Sequence, residues 1–232
     1  MPFDGHDALL KIKPPLQTGF YVQDAGRRDF KFGYNRGIKR LLDITLVLLG
    51  ISIVVPFVAV MAFLVSLDGH SPFYTQLRIG RNGKPFRIFK IRTMVHNADA
   101  LLQERLKTDP VLNAEWVRTQ KLKEDFRITW IGRILRKTSL DELPQLWNVL
   151  SGSMSLVGPR PIMPCQKDLY PGEAYYNMRP GLTGFWQISD RNGCEFRHRA
   201  LFDAKYEKSI SLGTDLNVLA RTFSVVLRGT GY

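Results

Sequence analysis

The sequence predicts a mostly helical α+β protein, in which an N-terminal re-entrant membrane helix-break-helix hairpin carries a small, membrane-associated cytosolic domain. Residues 44–67 contain no charged side chain, Asn82-Gly83 separates two short strand-like segments, and later stretches repeat apolar residues at helical spacing. The chain is therefore expected to divide into a flexible cytosolic tail (1–35), the hairpin (36–68) and the cytosolic domain (69–232).

The apolar segment determines the membrane prediction. A straight helix over residues 44–67 would be about 36 Å long, enough to cross a hydrocarbon core of about 30 Å. Pro56, near its middle, removes a backbone hydrogen bond and predicts a kink or a break. Basic residues, which favour the cytoplasmic side, flank both ends. A hairpin that returns to the same side satisfies both flanks. A kinked span is the alternative, and a buried core helix is a third interpretation.

The composition favours anionic partners. The 33 Lys and Arg against 21 Asp and Glu give a formal charge of +12, which suits nucleic acid, anionic lipid or phosphorylated substrates. No zinc-finger, RNP or helix-turn-helix motif is present, so nucleic acid is not expected as a partner. The two cysteines, Cys165 and Cys194, lack the spacing of a zinc site and are too few for a disulfide scaffold. They fit a reducing cytosol.

The elements of the cytosolic domain follow from local patterns. Residues 71–94 predict a strand–turn–strand unit, and residues 97–125 predict either a solvated helix pair broken at Asp109-Pro110 or a mobile loop. Residues 127–137 predict a basic amphipathic helix, whose apolar face lies either on a membrane surface or on the core. That face comprises Trp130, Ile131, Ile134 and Leu135. The last predicted helix repeats Leu216, Leu219, Phe223, Val226 and Leu227 at helical spacing.

Two adjacent carboxylates, Asp141 and Glu142, form the first candidate for chemistry. They follow Arg133, Arg136 and Lys137, and nearby cations are expected to lower a carboxyl pKa and keep the group ionised. Such a pair serves as a nucleophile or as a ligand for Mg²⁺. The structural alternative is a capping box, because Ser139-x-x-Glu142 matches that pattern.

Two further clusters contain arginines. Pro159 and Pro161 hold Arg160 between them, which suits bidentate contact with phosphate, although a plain proline turn is the alternative. Arg179 and Arg191 add positive charge around a glycine-rich stretch that ends in Phe185 and Trp186. Trp186 would lie either at a lipid interface or in the core.

The order of these motifs is specific. The Pro-broken apolar segment is followed by FKIRTM, TSLDELPQLWNVLSGSMSLVGPRP and RPGLTGFWQISDRN. Over residues 36–232 this order strongly resembles the bacterial sugar transferase family, the monotopic phosphoglycosyl transferases. The C-terminal part is most similar to the galactose-phosphate transferases that prime exopolysaccharide synthesis. Val55 precedes the proline where some members have serine, and residues 189–191 read SDR where many members have NGR.

The resemblance implies an enzyme, a polyprenyl-phosphate hexose-1-phosphate transferase whose catalytic domain is residues 69–232. It implies transfer of a hexose 1-phosphate from a UDP-sugar, with UDP-galactose expected, to undecaprenyl phosphate, with release of UMP. Asp141 would be the nucleophile that carries the phosphosugar covalently, and Glu142 with Asp141 would bind Mg²⁺.

The remaining site assignments also come from the resemblance. Arg136 and Arg160 match phosphate-contact positions, Lys90 and Arg92 lie in the matching FKIRTM motif, and Arg179 is grouped with them as a substrate phosphate or nucleotide contact. The expected location is the cytosolic face of the bacterial inner membrane, with anionic inner-leaflet lipids as partners. Family members are often dimers, so a homodimer is one possible assembly, which the sequence does not decide. The alternatives are the same chemistry with UDP-glucose or another UDP-sugar, and a non-catalytic, membrane-anchored basic binding module.

Overall fold

A computed structural model describes residues 34–119, 122–189 and 196–227. Eight α-helices and two two-stranded sheets occupy these ranges. The protein is therefore mostly helical with a minor strand content, as the sequence predicts. Most of the predicted tail, residues 1–35, lies outside the described residues, as does segment 190–195 with Arg191.

The apolar segment forms one long helix, α1 (Lys39–Ser66), preceded by a π-helical turn over Tyr34–Ile38. By length and composition it could cross a membrane, and only 11% of its most apolar window is buried. That exposure argues against the buried core helix. Pro56 lies inside α1, which continues through it, so the segment is one helix rather than the two separate helices predicted. Its re-entrant path stays a prediction.

Both ends of α1 are attached to the rest of the protein. Near its start, Lys39 Nζ lies 2.5 Å from Asp215 Oδ2, and Asp43 Oδ1 accepts a hydrogen bond from the backbone N–H of Leu156 at 3.0 Å. Near its end, α1 contributes to a small apolar cluster whose buried members are Val65, Ile91 and Leu135. The side chains between these attachments are largely exposed, which leaves an apolar surface available to lipid.

The predicted strand–turn–strand unit is confirmed. Strands β1 (Phe73–Ile79) and β2 (Pro85–Ile91) pair antiparallel. The connecting turn places Asn82 at φ 58° and Gly83 at φ 73°, left-handed values that asparagine and glycine tolerate best. The turn residues therefore set the register that carries Lys90 to the end of β2.

The helix pair in residues 97–125 is also confirmed. Helix α2 (Ala98–Thr108) ends before Asp109, whose Oδ1 accepts hydrogen bonds from the first N–H groups of α3 (Pro110–Thr119). This is an ordinary aspartate cap with proline at the first helical position.

Helix α4 (Trp130–Thr138) combines the two interpretations of its apolar face. Leu135 is fully buried, whereas Trp130 is 73% exposed and Ile134 is also exposed. The predicted single face is therefore divided between the core and the surface.

The second half of the domain is built around a short parallel sheet. Its elements are α5 (Leu146–Ser151), β3 (Ser155–Val157), α6 (Ala174–Asn177), β4 (Gly181–Thr183), α7 (Arg199–Ser209) and α8 (Leu212–Leu227). Strands β3 and β4 pair in parallel. The largest core cluster joins this sheet to α5, α7, α8 and the first turns of α1.

The predicted C-terminal helix is confirmed as α8, but not all of its apolar repeat lies in the core. Val218 and Asp215 are buried, whereas Leu216 and Phe223 are exposed. Asp215 turns inward because Lys39 and the hydroxyl groups of Tyr34 and Tyr206 surround its carboxylate. A buried, fully partnered carboxylate therefore rotates the helix away from the face that apolar spacing alone selects.

Candidate active site

Three elements bring the predicted site residues together. Lys90 lies near the end of β2, Asp141 and Glu142 lie on a 3₁₀ turn over Leu140–Gln145, and Arg160 follows β3. Asn148 of α5 holds the arrangement in place. Its side chain accepts a hydrogen bond from the N–H of Phe89 and donates one to the carbonyl of Arg87, so the 3₁₀ turn stays against the strand.

The carboxylates and cations form a compact cluster. Lys90 Nζ lies 2.7 Å from Glu142 Oε1 and 3.7 Å from Asp141 Oδ2. Arg160 Nη2 donates to the same Glu142 oxygen at 3.0 Å. Glu142 is therefore the acceptor shared by two cations, while Asp141 lies beside them without a close ion pair.

The loop after β3 fixes Arg160. Gly158 packs directly on the neighbouring loop, where a Cβ would lie 2.4 Å from the carbonyl oxygen of Arg179. Only glycine fits that approach, and prolines restrict the chain on both sides of Arg160. The guanidinium is thus held at the site, with its side chain 35% exposed.

The two carboxyl groups have opposite pKa shifts. Burial would raise the pKa of Glu142, but the charges of Arg160 and Lys90 outweigh it and hold the pKa well below its usual range. For Asp141, burial dominates and raises the pKa, against the opposing charge of Lys90. The expected lowering is therefore confirmed for Glu142 and wrong for Asp141, because Asp141 loses more hydration than its cations restore.

Glu142 does not form the capping box with Ser139 that the sequence offers as an alternative. Ser139 adopts a left-handed conformation at φ 57° and makes no side-chain cap to the 3₁₀ turn. The Glu142 carboxylate instead accepts from Lys90 and Arg160. The acid is therefore available for chemistry rather than for capping.

Arg136 lies at the edge of this cluster. It sits in the last turn of α4, and its Nε donates to Thr93 Oγ1 at 2.9 Å. Its charge also lowers the pKa of Asp141, although burial and the charges of Lys90 and Glu142 have larger effects on that pKa. Arg136 is thus placed where a substrate phosphate beside Asp141 would feel its charge.

Arg92 is used differently. Its guanidinium donates to both carboxylate oxygens of Asp68, at 2.7 and 2.6 Å, and to backbone carbonyls that include those of Val65 and Ser71. These contacts fasten β2 to the end of α1. The predicted phosphate contact of Arg92 remains a prediction.

Arg179 and Pro56 are not part of the cluster around Asp141 and Glu142. Burial, followed by the charges of Arg40 and Arg81, lowers the pKa of Arg179, against the opposing charge of Asp43. Pro56 is exposed in the middle of α1. The structure thus groups Lys90, Asp141, Glu142, Arg136 and Arg160.

Sequence reasoning missed Arg78. It lies on β1, where its Nη1 donates to the carbonyl of Pro161 at 3.3 Å and its charge is close to those of Arg160 and Glu142. The alternation of Gln76 and Arg78 on one face of the strand was the available signal. Their hydrogen bond at 2.5 Å confirms the shared face.

The donor set fits Mg²⁺ only together with a substrate. Protein sites hold Mg²⁺ through one or two carboxylates plus phosphate oxygens, and Asp141 and Glu142 supply two carboxylates. Within the described residues, no group of three His, Cys, Asp or Glu side chains converges as a metal site. Phosphate oxygens of a substrate would have to complete the coordination.

Comparison with known proteins identifies the family. The family model described as "Bacterial sugar transferase" matches residues 34–229. The chain is 46% identical over 199 residues to a "UDP-galactose-lipid carrier transferase" of Erwinia amylovora, covering 85% of this chain and 42% of that protein. It is 45% identical over 199 residues to an "Undecaprenyl-phosphate galactose phosphotransferase" of Salmonella typhimurium, with the same coverage of 85% and 42%.

A third relative has a similar length. The "Exopolysaccharide production protein ExoY" of Sinorhizobium fredii is 44% identical over 196 residues, which cover 83% of this chain and 87% of that protein. This chain thus spans less than half of the first two relatives and most of the third. With the family match and the clustered motif residues, these similarities show that the chain belongs to the bacterial sugar transferase family.

Proposed function

We propose that this protein transfers galactose 1-phosphate from UDP-galactose to undecaprenyl phosphate and releases UMP, as the priming step of exopolysaccharide synthesis. The observation that carries the proposal is the convergence of Asp141 and Glu142 with Lys90 and Arg160 within 2.7 to 3.7 Å. The names of the relatives support the donor and the acceptor. A binding module would require only a diffuse basic surface, not cations focused on two acids.

The transfer would take place in two displacements. An Asp141 carboxylate oxygen attacks the phosphorus that carries the sugar, and the bond from that phosphorus to the UMP oxygen breaks. UMP leaves with the bonding electron pair. A phosphate oxygen of undecaprenyl phosphate then attacks the same phosphorus and displaces Asp141. The products are undecaprenyl diphosphate sugar and the regenerated carboxylate, so two substrates can use one site in turn.

The environment of Asp141 suits this role. Burial makes its carboxylate more basic, and a more basic oxygen forms the stronger bond to phosphorus. Lys90 and Arg136 oppose that shift and help to keep the group ionised. The same cations would stabilise the charge on the phosphoryl oxygens in a site with little water.

Glu142 has a complementary role. Its low pKa keeps it charged at every pH at which the enzyme works, and it orients Lys90 and Arg160 through one oxygen. Asp141 and Glu142 would hold Mg²⁺ together with the diphosphate, and the bound ion would neutralise phosphate charge as UMP leaves.

The membrane segment would place this site at the bilayer surface. We expect α1 to enter and leave on the cytosolic face of the inner membrane, because basic residues flank both ends and Pro56 weakens its middle. The lipid phosphate and the cytosolic nucleotide sugar then meet without crossing the bilayer. Anionic inner-leaflet lipids would bind the basic surface.

The direct test is UMP release by purified protein in nanodiscs, with undecaprenyl phosphate, Mg²⁺ and a panel of UDP-sugars. We expect release with UDP-galactose and a loss of at least about a thousandfold in Asp141→Asn, because the neutral amide is no nucleophile. Asp99→Asn, an exposed acid on α2, is the matched control.

The panel separates the alternatives. UMP release with UDP-glucose alone would keep the reaction and change the donor. Undiminished release by Asp141→Asn would remove Asp141 as the nucleophile. If folded wild-type protein released no UMP with any donor, the transferase proposal would fail and a binding module would become the better explanation.

A further inference from the structure

Arg160, which binds Glu142, has two further arginines near it, Arg78 and Arg199. Arg160 donates to Glu142, and Arg78 donates to the carbonyl of Pro161, the residue after Arg160. Arg199, at the start of α7, is the third member. Burial lowers the pKa of Arg199 to about 10, and the next largest causes include the charges of Arg160 and Arg78. The packing agrees, because Phe196 and Ala200, which flank Arg199, pack on the cluster that contains Ile79 and Ile162, next to Arg78 and Pro161.

Two of these guanidiniums have buried donors without acceptors. In the described part of the chain, Nε of Arg78 and Nε of Arg199 have no hydrogen-bond partner. The Arg199 guanidinium stacks on Trp186 at 4.1 Å and on Phe196 at 5.0 Å, which fixes its plane. Buried donors of native proteins almost always have partners, so these groups point to an acceptor that arrives with a ligand.

The charge balance specifies an anion. Three carboxylates act on the three arginines in the described residues: Glu142, Asp141 and Asp203. Glu142 is already shared with Lys90, and Asp203 accepts a hydrogen bond from the hydroxyl of Tyr170. With Lys90 and Arg136, whose charges also act on Asp141, five cations face these three carboxylates, so a net positive charge remains. Fixed guanidinium groups match phosphate oxygens in geometry.

The position of Arg199 indicates which phosphate would bind. The charges that act on Arg199 are those of Arg160, Asp203 and Arg78, whereas Asp141 is acted on by Lys90, Arg136 and Arg160. Arg160 is thus the one member of the trio whose charge acts on Asp141. Because phosphoryl displacement is in line, the leaving oxygen lies opposite the attacking one, which makes Arg78 and Arg199 candidates for the leaving side.

We propose that Arg78 and Arg199, together with Arg160, bind the phosphate that leaves with the nucleotide. This inference rests on the proposed function, since that function supplies the nucleoside diphosphate. It assigns positions outside the predicted site residues to the donor substrate. Lys90 and Arg136 would bind the phosphate that is transferred with the sugar. Arg78, Arg160 and Arg199 would bind the phosphate that leaves with the nucleotide.

The test is UDP binding by isothermal titration calorimetry to the full chain in nanodiscs. We expect Arg78→Gln and Arg199→Gln each to raise the Kd for UDP by about 10- to 100-fold, the usual effect of losing a charge-assisted contact. Arg105→Gln is the control, because Arg105 also stacks on an aromatic ring, Phe126 at 5.6 Å, and has no part in the trio. Binding of uridine, measured by saturation-transfer NMR, should stay unchanged in all three variants.

Each outcome has a defined meaning. Wild-type affinity for UDP in folded variants would overturn the proposal, as would an equal loss of UDP and uridine, which would show a merely structural role. If a glutamine variant does not fold, Arg78→Lys and Arg199→Lys keep the charge without the planar fork, and the same criteria apply. Wild-type protein that binds UDP through these arginines but releases no UMP would refute the transfer reaction and leave the subsite standing.

Discussion

Adjacent residues in this protein have been given different properties by their surroundings. Glu142 shares one oxygen between Lys90 and Arg160, whereas Asp141 is buried with no ion pair closer than 3.7 Å. Their pKa values consequently move in opposite directions. Neighbouring acids with opposite shifts usually have distinct tasks, which agrees with the electrostatic role proposed for Glu142 and the nucleophilic role proposed for Asp141.

A second buried acid, Asp203, should make stability depend on pH. Burial raises its pKa from 3.8 to about 6, against a hydrogen bond from Tyr170 and the charge of Arg199. The folded state therefore favours the protonated acid. The contribution of protonated Asp203 to the free energy of unfolding is fully present below about pH 4, and it is lost as the pH rises through about 6. The difference of about two pH units corresponds to roughly 3 kcal/mol at most.

Asp203→Asn should remove this dependence while keeping an acceptor for Tyr170. The measurement is the melting temperature of both proteins between pH 4 and pH 7.5. The difference between the melting temperatures of the variant and wild type should rise by roughly 5–10 °C over this range, in favour of the variant. Asp99→Asn, at an exposed position, should show no such trend. A difference between Asp203→Asn and wild type that stays constant with pH would contradict the prediction.

At the scale of elements, α4 docks through a glycine. A Cβ at Gly132 would lie 2.0 Å from the carbonyl oxygen of Thr93, so no other residue fits unless the helix moves. Gly132→Ala should lower stability by about 3 kcal/mol or more. It should also reduce UMP release, because Arg136 contacts Thr93 from the same helix.

Gly213→Ala is the matched control for Gly132→Ala. Gly213 lies in α8, and a Cβ there meets nothing within 4 Å. Alanine should therefore leave stability unchanged or raise it by up to about 1 kcal/mol. Equal melting temperatures for the two alanine variants would show that the close approach of α4 to Thr93 is unimportant.

The elements that sequence predicted well depend on neighbouring residues in the chain. Asn82-Gly83 and Asp109-Pro110 act through local backbone preference, so the hairpin and the helix pair could be placed. The orientation of α8 could not be predicted in this way. It depends on the buried contact of Asp215 with Lys39, which is 176 positions away in the sequence. The raised pKa of Asp141 likewise depends on burial by several elements, which the adjacent cations in the sequence do not reveal.

The same distinction holds for the site. Asp141, Glu142, Lys90 and Arg160 lie in motifs that resemblance assigns. Arg78 and Arg199 join them only because β1 and the start of α7 pack beside the loop after β3. Arg199 has no local signal beyond that of an ordinary solvated arginine, and Arg78 has only its alternation with Gln76, so tertiary structure was required to place them at the site.

For the whole molecule, the main prediction concerns the path of α1. Gly37→Cys and Ser71→Cys, both exposed positions near its two ends, should react with an impermeant maleimide only from the cytosolic side, in a background with Cys165 and Cys194 replaced by serine. A background that retains Cys165, which is exposed, supplies the cytosolic reference. Pro56→Leu should shift part of the population to a span, because a straight α1 is long enough to cross.

Labelling of the two positions from opposite faces in the parent protein would contradict the re-entrant path. It would establish the kinked span instead. Accessibility of both positions only from the cytosolic side in Pro56→Leu would leave the re-entrant path intact and show that the proline does not determine it.

The contacts of Arg92 have a mechanical consequence. Arg92 lies two residues after Lys90, and its guanidinium donates hydrogen bonds to the Asp68 carboxylate and to the carbonyl of Val65 at the end of α1. If α1 enters the bilayer as proposed, α1 and the strand that carries Lys90 would move together as one rigid unit. The rate of transfer would then depend on acyl-chain length, because bilayer thickness would set the height of Lys90 relative to the lipid phosphate.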